Sequence, residues 1–237
     1  MSVVAVCGLA GGAGTSTIAY VLARRAVGDA GGPVLLAELD AAAGGLAELT
    51  GVTSPLNLGQ LAAGRTEPVV ANGLPFASLD GGLRVIASVP HRVIPAEDDD
   101  LARVVTEAGS LHALTVVDCG TFQSSGCEAV LDVASHIVWV APRRPRTVER
   151  VRAVLLDRNG LPPGAAAELL AIVANARSAG EPPGRALREV AAARCQRLVF
   201  VPFDDALASG RPEAMRQDTA GAVLAMATFV APVRART

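Results

Sequence analysis

Short runs rich in Val, Ile and Leu alternate along the chain with longer segments in which Ala, Leu and Arg dominate. The short runs predict strands and the longer segments predict helices. The predicted strands are 3–7, 33–39, 84–89, 113–118, 136–141, 169–174 and 197–201. The predicted helices are 16–28, 43–49, 98–108, 125–134, 146–158, 184–193 and 213–230. This alternation is typical of an α/β protein with a doubly wound, mostly parallel sheet, and we predict that fold class.

Length and composition favour a single globular domain. A chain of 237 residues can form one large α/β core, and no linker divides it, so we predict one domain over residues 1–237. Hydrophobic residues make up 51% and charged residues 19%, which excludes a disordered chain. The net charge of -2 excludes a general basic field that would attract nucleic acid or an anionic membrane.

The apolar stretches near the two ends of the chain do not predict membrane segments. Residues 1–23 carry no charge, but no basic residue precedes the apolar run and glycines interrupt it, so we predict no signal peptide. The apolar stretch 220–230 predicts a helix packed on the sheet rather than one lying on a membrane. We therefore expect a cytoplasmic protein without membrane association.

Residues 8–17 read GLAGGAGTST, a glycine-rich turn between a predicted strand and a predicted helix. Backbone N–H groups converge at such a helix N-terminus and can hold a phosphate. Ser16 and Thr17 add hydroxyl groups to this turn. A working phosphate-binding loop carries a lysine directly before its Ser/Thr, whereas this chain has Thr15 there. The sequence thus predicts a phosphate cradle without its cationic clamp.

Two aspartates follow predicted strands beside this turn, Asp40 after the strand 33–39 and Asp118 at the end of 113–118. Either one alone is more typical of a cap for the next helix. Together with the glycine-rich turn they favour a magnesium site, because Mg²⁺ binds carboxylates, a loop hydroxyl and phosphate oxygens. We predict that Ser16 and Asp118 hold this ion.

Over nearly its whole length the chain resembles the ParA/MinD family of deviant Walker ATPases. AGGAGTST stands where the family has its KGGxGK(S/T)T loop, and VLLAELDAAAGGLAELTGV is similar to the next strand and first switch. LTVVDCGTF resembles the Walker B strand and second switch, and LLAIVANARSAG resembles the strand with an adenine-contacting asparagine. RLVFVPFDDALASGRP resembles the segment IPxDxxxxxAxxxG. The first switch, with Gly44, Gly45 and Leu46, is closest to the CpaE/TadZ branch, which includes septum-site-determining-like proteins.

The resemblance implies a P-loop NTPase fold and a homodimer around two ATP molecules with Mg²⁺. It also implies a nucleotide cycle that positions plasmids, chromosomes, division machinery or pilus assemblies through protein partners. Asp40 matches the family's catalytic aspartate. The residues that stand at the family's nucleotide-binding positions are Gly11, Gly12, Ala13, Gly14, Thr15, Ser16, Thr17, Asn175, Pro202 and Asp204.

Both lysines of the family's loop are missing. Ala10 stands where a lysine reaches the partner's phosphates, and Thr15 stands at the P-loop lysine. A charge-assisted hydrogen bond contributes about 1.5–3 kcal/mol, so we predict weak ATP affinity and little or no hydrolysis. The leading interpretation is a positioning or scaffold protein with a degraded nucleotide site, which acts through dimerisation and partner binding in cell division, partitioning or pilus localisation.

The first alternative is an active ATPase in which an arginine replaces the P-loop lysine. The candidates are Arg143, Arg144 and Arg146, which follow the predicted strand 136–141 and so lie at the ligand-binding edge. With Arg150 and Arg152 they also predict either a solvated helix start or a surface for a protein partner or DNA.

The second alternative is a redox or metallocluster relative that uses Cys119 or Cys127, with the cluster shared between two subunits. The four cysteines form no C-x-x-C pair and no histidine stands at ligand spacing, so the sequence indicates neither a zinc site nor a disulfide framework. Buried free thiols are the simpler interpretation.

Overall fold

A computed structural model describes residues 2–39, 45–54, 56–63, 74, 76–79, 81–87, 96–144, 147–156, 166–174 and 184–231. The strands are β1 Val3–Gly8, β2 Val34–Glu38, β3 Ala77–Leu79, β4 Leu83–Ile86, β5 Leu114–Thr121, β6 His136–Pro142, β7 Ala167–Val173 and β8 Arg197–Val201. The helices are α1 Thr15–Ala26, α2 Gly45–Thr50, α3 Leu58–Ala63, α4 Asp98–Leu111, α5 Cys127–Val133, α6 Thr147–Leu155, α7 Arg185–Arg194, α8 Asp205–Ala208 and α9 Gln217–Val230.

The strands form one sheet in the order β3-β4-β2-β5-β1-β6-β7-β8. Every neighbouring pair is parallel except β3 and β4. The chain first builds the side that contains β5, β2 and β4, and then crosses to β6, β7 and β8 on the other side of β1. This is the doubly wound, mostly parallel sheet that the sequence predicts, and its strand order reverses at β1.

A hydrophobic core covers each face of the sheet, because successive residues of a strand point to opposite faces. One core joins the sheet to α1, α2 and α9 and contains Val6, Val116 and Met226. The other joins it to α3, α4, α5, α6 and α7, and it contains Cys7 and Trp139. Both faces are covered, which explains why the central strands are apolar runs.

The C-terminal helix α9 packs on α1 and β8 through buried residues that include Thr219, Met226 and Val230. The stretch 220–230 therefore packs on the sheet, as predicted. None of the described helices is long and apolar enough to cross a bilayer.

Within the described ranges, α9 begins later than predicted and three short elements were not predicted. The predicted helix 213–230 begins at Gln217, because Pro212–Ala214 forms a 3₁₀ turn and the Arg216 N–H donates to Asp204 instead, at 2.8 Å. The elements that were not predicted are β3, α3 and α8. They have three, six and four residues, which is too short for a periodic signal.

Candidate functional site

The glycine-rich turn connects β1 to α1 at the point where the strand order reverses. Gly12 and Gly14 have φ angles of 66° and 89°, which other residues rarely adopt, and these two glycines bring the turn into α1. Gly14 is the N-cap of α1, and no side chain caps the helix there. No acidic residue lies in the first turn of α1 either. The helix start therefore directs backbone N–H groups and positive helix-dipole potential toward an anion.

A cavity of ≈ 200 Å³ lies between this turn and the carboxyl ends of β7 and β8. The turn lines one side of this cavity, and apolar and aromatic residues at the ends of β7 and β8 line the other side. Its lining residues include Gly12, Ala13, Gly14, Thr17, Pro202, Phe203 and Asp204. A phosphate on the turn would leave the apolar part of this cavity for a planar base beside Phe203.

Arg144 projects over the glycine-rich turn and lines the same cavity. A Cβ placed on Gly12 would lie 3.6 Å from Arg144 Nη2. The Arg144 backbone N–H donates to Thr147 Oγ1 at 3.0 Å, which fixes the start of α6 and so the base of this side chain. Within the described parts of the chain, no side chain or carbonyl pairs with its guanidinium. The structure thus brings one cation to the turn that lacks a lysine.

The other arginines of this segment lie elsewhere. Arg143 places its guanidinium 5.9 Å from the centre of the Phe200 ring, on the side of β8. Arg150 and Arg152 are exposed on α6, and Arg146 lies outside the described residues. Of the three predicted cation candidates, the structure therefore brings Arg144 to the turn and Arg143 to Phe200.

The two positions that lack lysine differ in their surroundings. Thr15 is only 8% exposed, and a Cβ on Gly8 would collide with its Oγ1, so this hydroxyl points toward the end of β1. Ala10 lines a smaller cavity of ≈ 160 Å³ together with Arg144 and Arg150. Arginines therefore flank Ala10, whereas Thr15 is packed inside the protein.

Two carboxylates lie side by side, because Glu38 at the end of β2 pairs in register with Asp118. Asp118 lies inside β5, which continues to Thr121 beyond the end of the predicted strand 113–118. Both side chains are 1% exposed. Glu38 Oε1 accepts the Leu46 N–H at 3.2 Å, and Asp118 Oδ1 accepts the Gly120 N–H at 3.0 Å. Two neighbouring buried carboxylates repel each other unless a cation or a proton compensates the charge.

Ser16 completes this group of oxygen atoms. A Cβ on Gly45 would lie 2.7 Å from Ser16 Oγ and 3.9 Å from Glu38 Oε1, so the start of α2 approaches both groups. Carboxylates and a hydroxyl are hard ligands that suit Mg²⁺, and the residues present fit that ion. Glu38 was not among the predicted site residues, although an acid inside the apolar run 34–39 was a signal of this site.

The remaining predicted residues are only partly described. Asp40 and Asn175 lie outside the described residues. Pro202 and Asp204 line the cavity beside the glycine-rich turn. Asp204 also caps α8, where its carboxylate accepts N–H groups from Ala206 at 2.9 Å and Arg216 at 2.8 Å. Burial opposes the ionisation of Asp204, but these hydrogen bonds outweigh it and lower the pKa of this carboxyl.

All four cysteines are free and buried, as the simpler interpretation predicts. Cys119 and Cys127 are 0% and 1% exposed. Neither thiol reaches the surface, so the alternative of a cluster shared between two subunits does not fit these positions. The two cysteines instead lie close to Cys7, inside one chain.

Neither a protein-family model nor a curated protein sequence matches the chain. Solved structures match it over nearly its full length. A ParA family ATPase from Chlorobium tepidum superposes with a TM-score of 0.75 at 17% identity, covering 96% of this chain and 98% of that one. The Pyrococcus furiosus cell division ATPase MinD superposes with a TM-score of 0.74 at 19% identity, and the match covers 96% of this chain and 97% of that one.

The septum site-determining protein MinD from Pyrococcus horikoshii, complexed with Mg-ADP, gives a TM-score of 0.72 at 17% identity. The match covers 97% of this chain and 95% of that chain. Similarity at this identity concerns the path of the backbone, and it extends over nearly the whole chain. This chain therefore has the P-loop fold of the ParA and MinD ATPases, as its sequence resemblance implies.

Proposed function

We propose that this chain is a nucleotide-dependent positioning protein of the kind that acts in partitioning or cell division. It binds Mg-ATP in the cavity beside the glycine-rich turn, with Arg144 in place of the missing lysines. It acts as a homodimer that engages a protein partner, and its output is binding rather than fast hydrolysis. The position of Arg144 Nη2 over Gly12 is the observation that carries this proposal.

Arg144 suits the phosphate role for a chemical reason. A guanidinium stays ionised at any physiological pH and can donate two parallel hydrogen bonds to phosphate oxygens. One guanidinium replaces two ammonium groups, so the affinity is lower than that of a loop with both lysines. The role of Arg144 thus explains how a chain without any lysine can keep a backbone cradle for phosphate.

Ser16, Asp118 and Glu38 would hold Mg²⁺ on the other side of the turn. The ion would compensate the charge of the two adjacent carboxylates and bridge them to the phosphates. The solved structure of Pyrococcus horikoshii MinD is a complex with Mg-ADP, which supports a nucleotide with Mg²⁺ as the ligand of the shared fold.

Calorimetric titration with Mg-ATP tests the nucleotide site in three proteins. We expect the wild type to bind, Arg144→Ala to lose about tenfold to a hundredfold in affinity, and Arg152→Ala to stay within twofold of the wild type. Arg152 is the matched control, because it is exposed on α6 but outside the lining of the cavity. Equal affinities of all three proteins would exclude Arg144 as the cation, and no binding at millimolar Mg-ATP would overturn the nucleotide dependence.

Sedimentation velocity with and without Mg-ATP tests the dimer. We expect the nucleotide to shift the wild type toward a dimer and to shift Arg144→Ala less. A monomer under every condition, at concentrations where the nucleotide site is saturated, would contradict the homodimer.

A further inference from the structure

Three cysteines from distant parts of the chain meet in the hydrophobic core between the central strands and α5. Cys7 lies on β1, Cys119 on β5 and Cys127 at the start of α5. Their three Sγ atoms all lie within 4.8 Å of one another, and those of Cys7 and Cys127 are 3.6 Å apart. All three residues are at most 1% exposed. The adjacent parallel strands β1 and β5 bring two of the sulfurs together, and α5 covers them with the third.

We propose that Cys7, Cys119 and Cys127 form a binding site for a soft monovalent metal ion, Cu(I), held by three sulfur atoms. Nothing in the proposed nucleotide function requires such a site. The two proposals are independent, since they rest on opposite faces of the sheet.

The spacing of the sulfurs matches three-coordinate geometry. With metal–sulfur bonds of about 2.3 Å, the sulfurs of a planar three-coordinate site lie about 4 Å apart. The Cys7–Cys127 separation of 3.6 Å is close to that value and the other two pairs lie within 4.8 Å, so small side-chain rotations suffice.

The donor set selects a soft ion. Among the described residues, no histidine or carboxylate belongs to the group, and thiol sulfur is the ligand that Cu(I) prefers. Structural zinc sites instead take four ligands in a tetrahedron. Asp118 is a neighbour of Cys119 in sequence, but its side chain points to the other face of the sheet, so it does not supply the fourth ligand.

The charge balance favours a monovalent ion. Without metal the three thiols are buried in an apolar core, where the neutral S–H form is favoured over the thiolate. When Cu⁺ binds, one S–H bond breaks and its H⁺ leaves to solvent. Three Cu–S bonds form, one from the resulting thiolate and one from a lone pair of each of the other two thiols. The buried site thus keeps its net charge, which avoids the cost of an uncompensated ion in an apolar core.

A copper ion bound to the three cysteines would link β1 and β5, the two strands that carry Gly8 and Asp118. Cys7 directly precedes Gly8, and Cys119 directly follows Asp118. A bound ion would tie the ends of β1 and β5 to α5. We therefore expect metal binding to raise the unfolding temperature of the full chain.

An anaerobic titration with Cu(I) against a competing chelator tests the site in the full chain. We expect one ion per chain in the wild type, an affinity lower by at least about a hundredfold in Cys127→Ala, and an unchanged affinity in Cys195→Ala. Cys195 is the matched control, since it is also a buried thiol with a raised pKa, of about 12, but lies outside the group. Equal losses in both variants, or no binding by the wild type, would overturn the proposal.

X-ray absorption on the copper-loaded wild type keeps the test independent of how the variants fold. We expect three sulfur neighbours near 2.3 Å and no nitrogen or oxygen neighbour. A parallel titration with Zn(II) should show weaker binding than with Cu(I). Four ligands around copper, or tighter binding of zinc, would contradict a three-sulfur site for a monovalent ion.

Discussion

The two faces of the sheet at the ends of β1 and β5 present opposite chemistry within a few ångströms. On the face covered by α1, Glu38 and Asp118 place carboxylates near the hydroxyl of Ser16. On the other face, Cys119 and Cys7 place thiols in an apolar core. Asp118 and Cys119 are consecutive residues, yet one belongs to a hard oxygen site and the other to a soft sulfur cluster.

The difference shows how strand alternation separates sites that would otherwise interfere. A one-residue step along a strand reverses the direction of the side chain, so the sheet itself divides the two ligand sets. The oxygen face lies beside the glycine-rich turn, because Ser16 is in the first turn of α1. The sulfur face is closed by α5 and the helices beside it. Each face should therefore respond to substitution without affecting the other.

Replacing Asp118 by Asn should produce the largest effect. The amide keeps the acceptor for the Gly120 N–H but removes the charge that would hold Mg²⁺, so the affinity for Mg-ATP should fall by about a hundredfold. Calorimetry with Mg-ATP and with ATP in excess EDTA separates the ion from the nucleotide. We expect the loss only with Mg²⁺, and equal losses under both conditions would show that Asp118 does not act through the metal.

Cys7→Ser should be the next largest change, and it tests the sulfur face. A hydroxyl placed among buried apolar groups lacks the partners that water gives it, so the free energy of unfolding should fall by about 1–3 kcal/mol. Urea unfolding measures this loss, with Cys195→Ser as the control near the edge of the core. Affinity for Mg-ATP should stay within twofold of the wild type; a parallel loss would mean that the two faces are not separate.

Thr15→Lys should change the affinity for Mg-ATP by a smaller factor, and in the favourable direction. If the turn is a phosphate cradle, one added charge-assisted bond should tighten Mg-ATP binding by about tenfold, the lower end for such bonds. Thr15 is packed against Gly8, so circular dichroism must first confirm the fold of the variant. A folded variant with unchanged affinity would count against the cradle. The related change Ala10→Lys should strengthen binding only in the dimer.

The smallest expected effect lies away from both faces, at His112. Arg84 Nη1 lies 3.3 Å from His112 Nε2, and His112 Nδ1 lies 2.8 Å from the Ala108 carbonyl, so the neutral ring donates from Nδ1 and accepts at Nε2. Burial lowers the pKa of His112 below its ordinary value of 6.5; the Ala108 carbonyl opposes this shift, and the charge of Arg84 adds to it.

In the unfolded chain His112 therefore binds its proton at a higher pH than in the folded protein. The contribution of the neutral His112 ring to the free energy of unfolding is complete above pH 6.5. It is lost as the pH falls through the pKa of His112 in the folded protein. Urea unfolding at pH 7.5 and pH 5.5 should show a smaller loss of stability on acidification in His112→Asn than in the wild type. The same loss in both proteins would contradict this assignment.

The fold was accessible from the sequence because it depends on local patterns. The strands 3–7, 136–141 and 197–201 were predicted to within one residue at each end, since buried β-branched runs stand out between polar turns. The start of α9 was wrong by four residues. It depends on the distant carboxylate of Asp204, and no local pattern reveals that contact.

The candidate site divides in the same way. One short segment, residues 8–17, was enough to identify Gly12, Gly14 and the missing lysine. Arg144 was only one of three candidates. The acid Glu38 inside an apolar run was a signal of a site, but its position beside Asp118 depends on the pairing of β2 with β5, which the sequence does not show. The thiol cluster could not be found from spacing, since 120 positions separate Cys7 from Cys127.

The sequence by itself determined the alternation of strands and helices, the glycine-rich turn at the edge of the sheet, and the absence of lysine from that turn. Only the tertiary structure decided that Arg144 covers Gly12, that Glu38 stands beside Asp118, and that three thiols meet behind them. The physical reason is that backbone preferences and burial act on neighbouring residues. Contacts between distant side chains depend on strand order and register, which arise when the whole sheet forms.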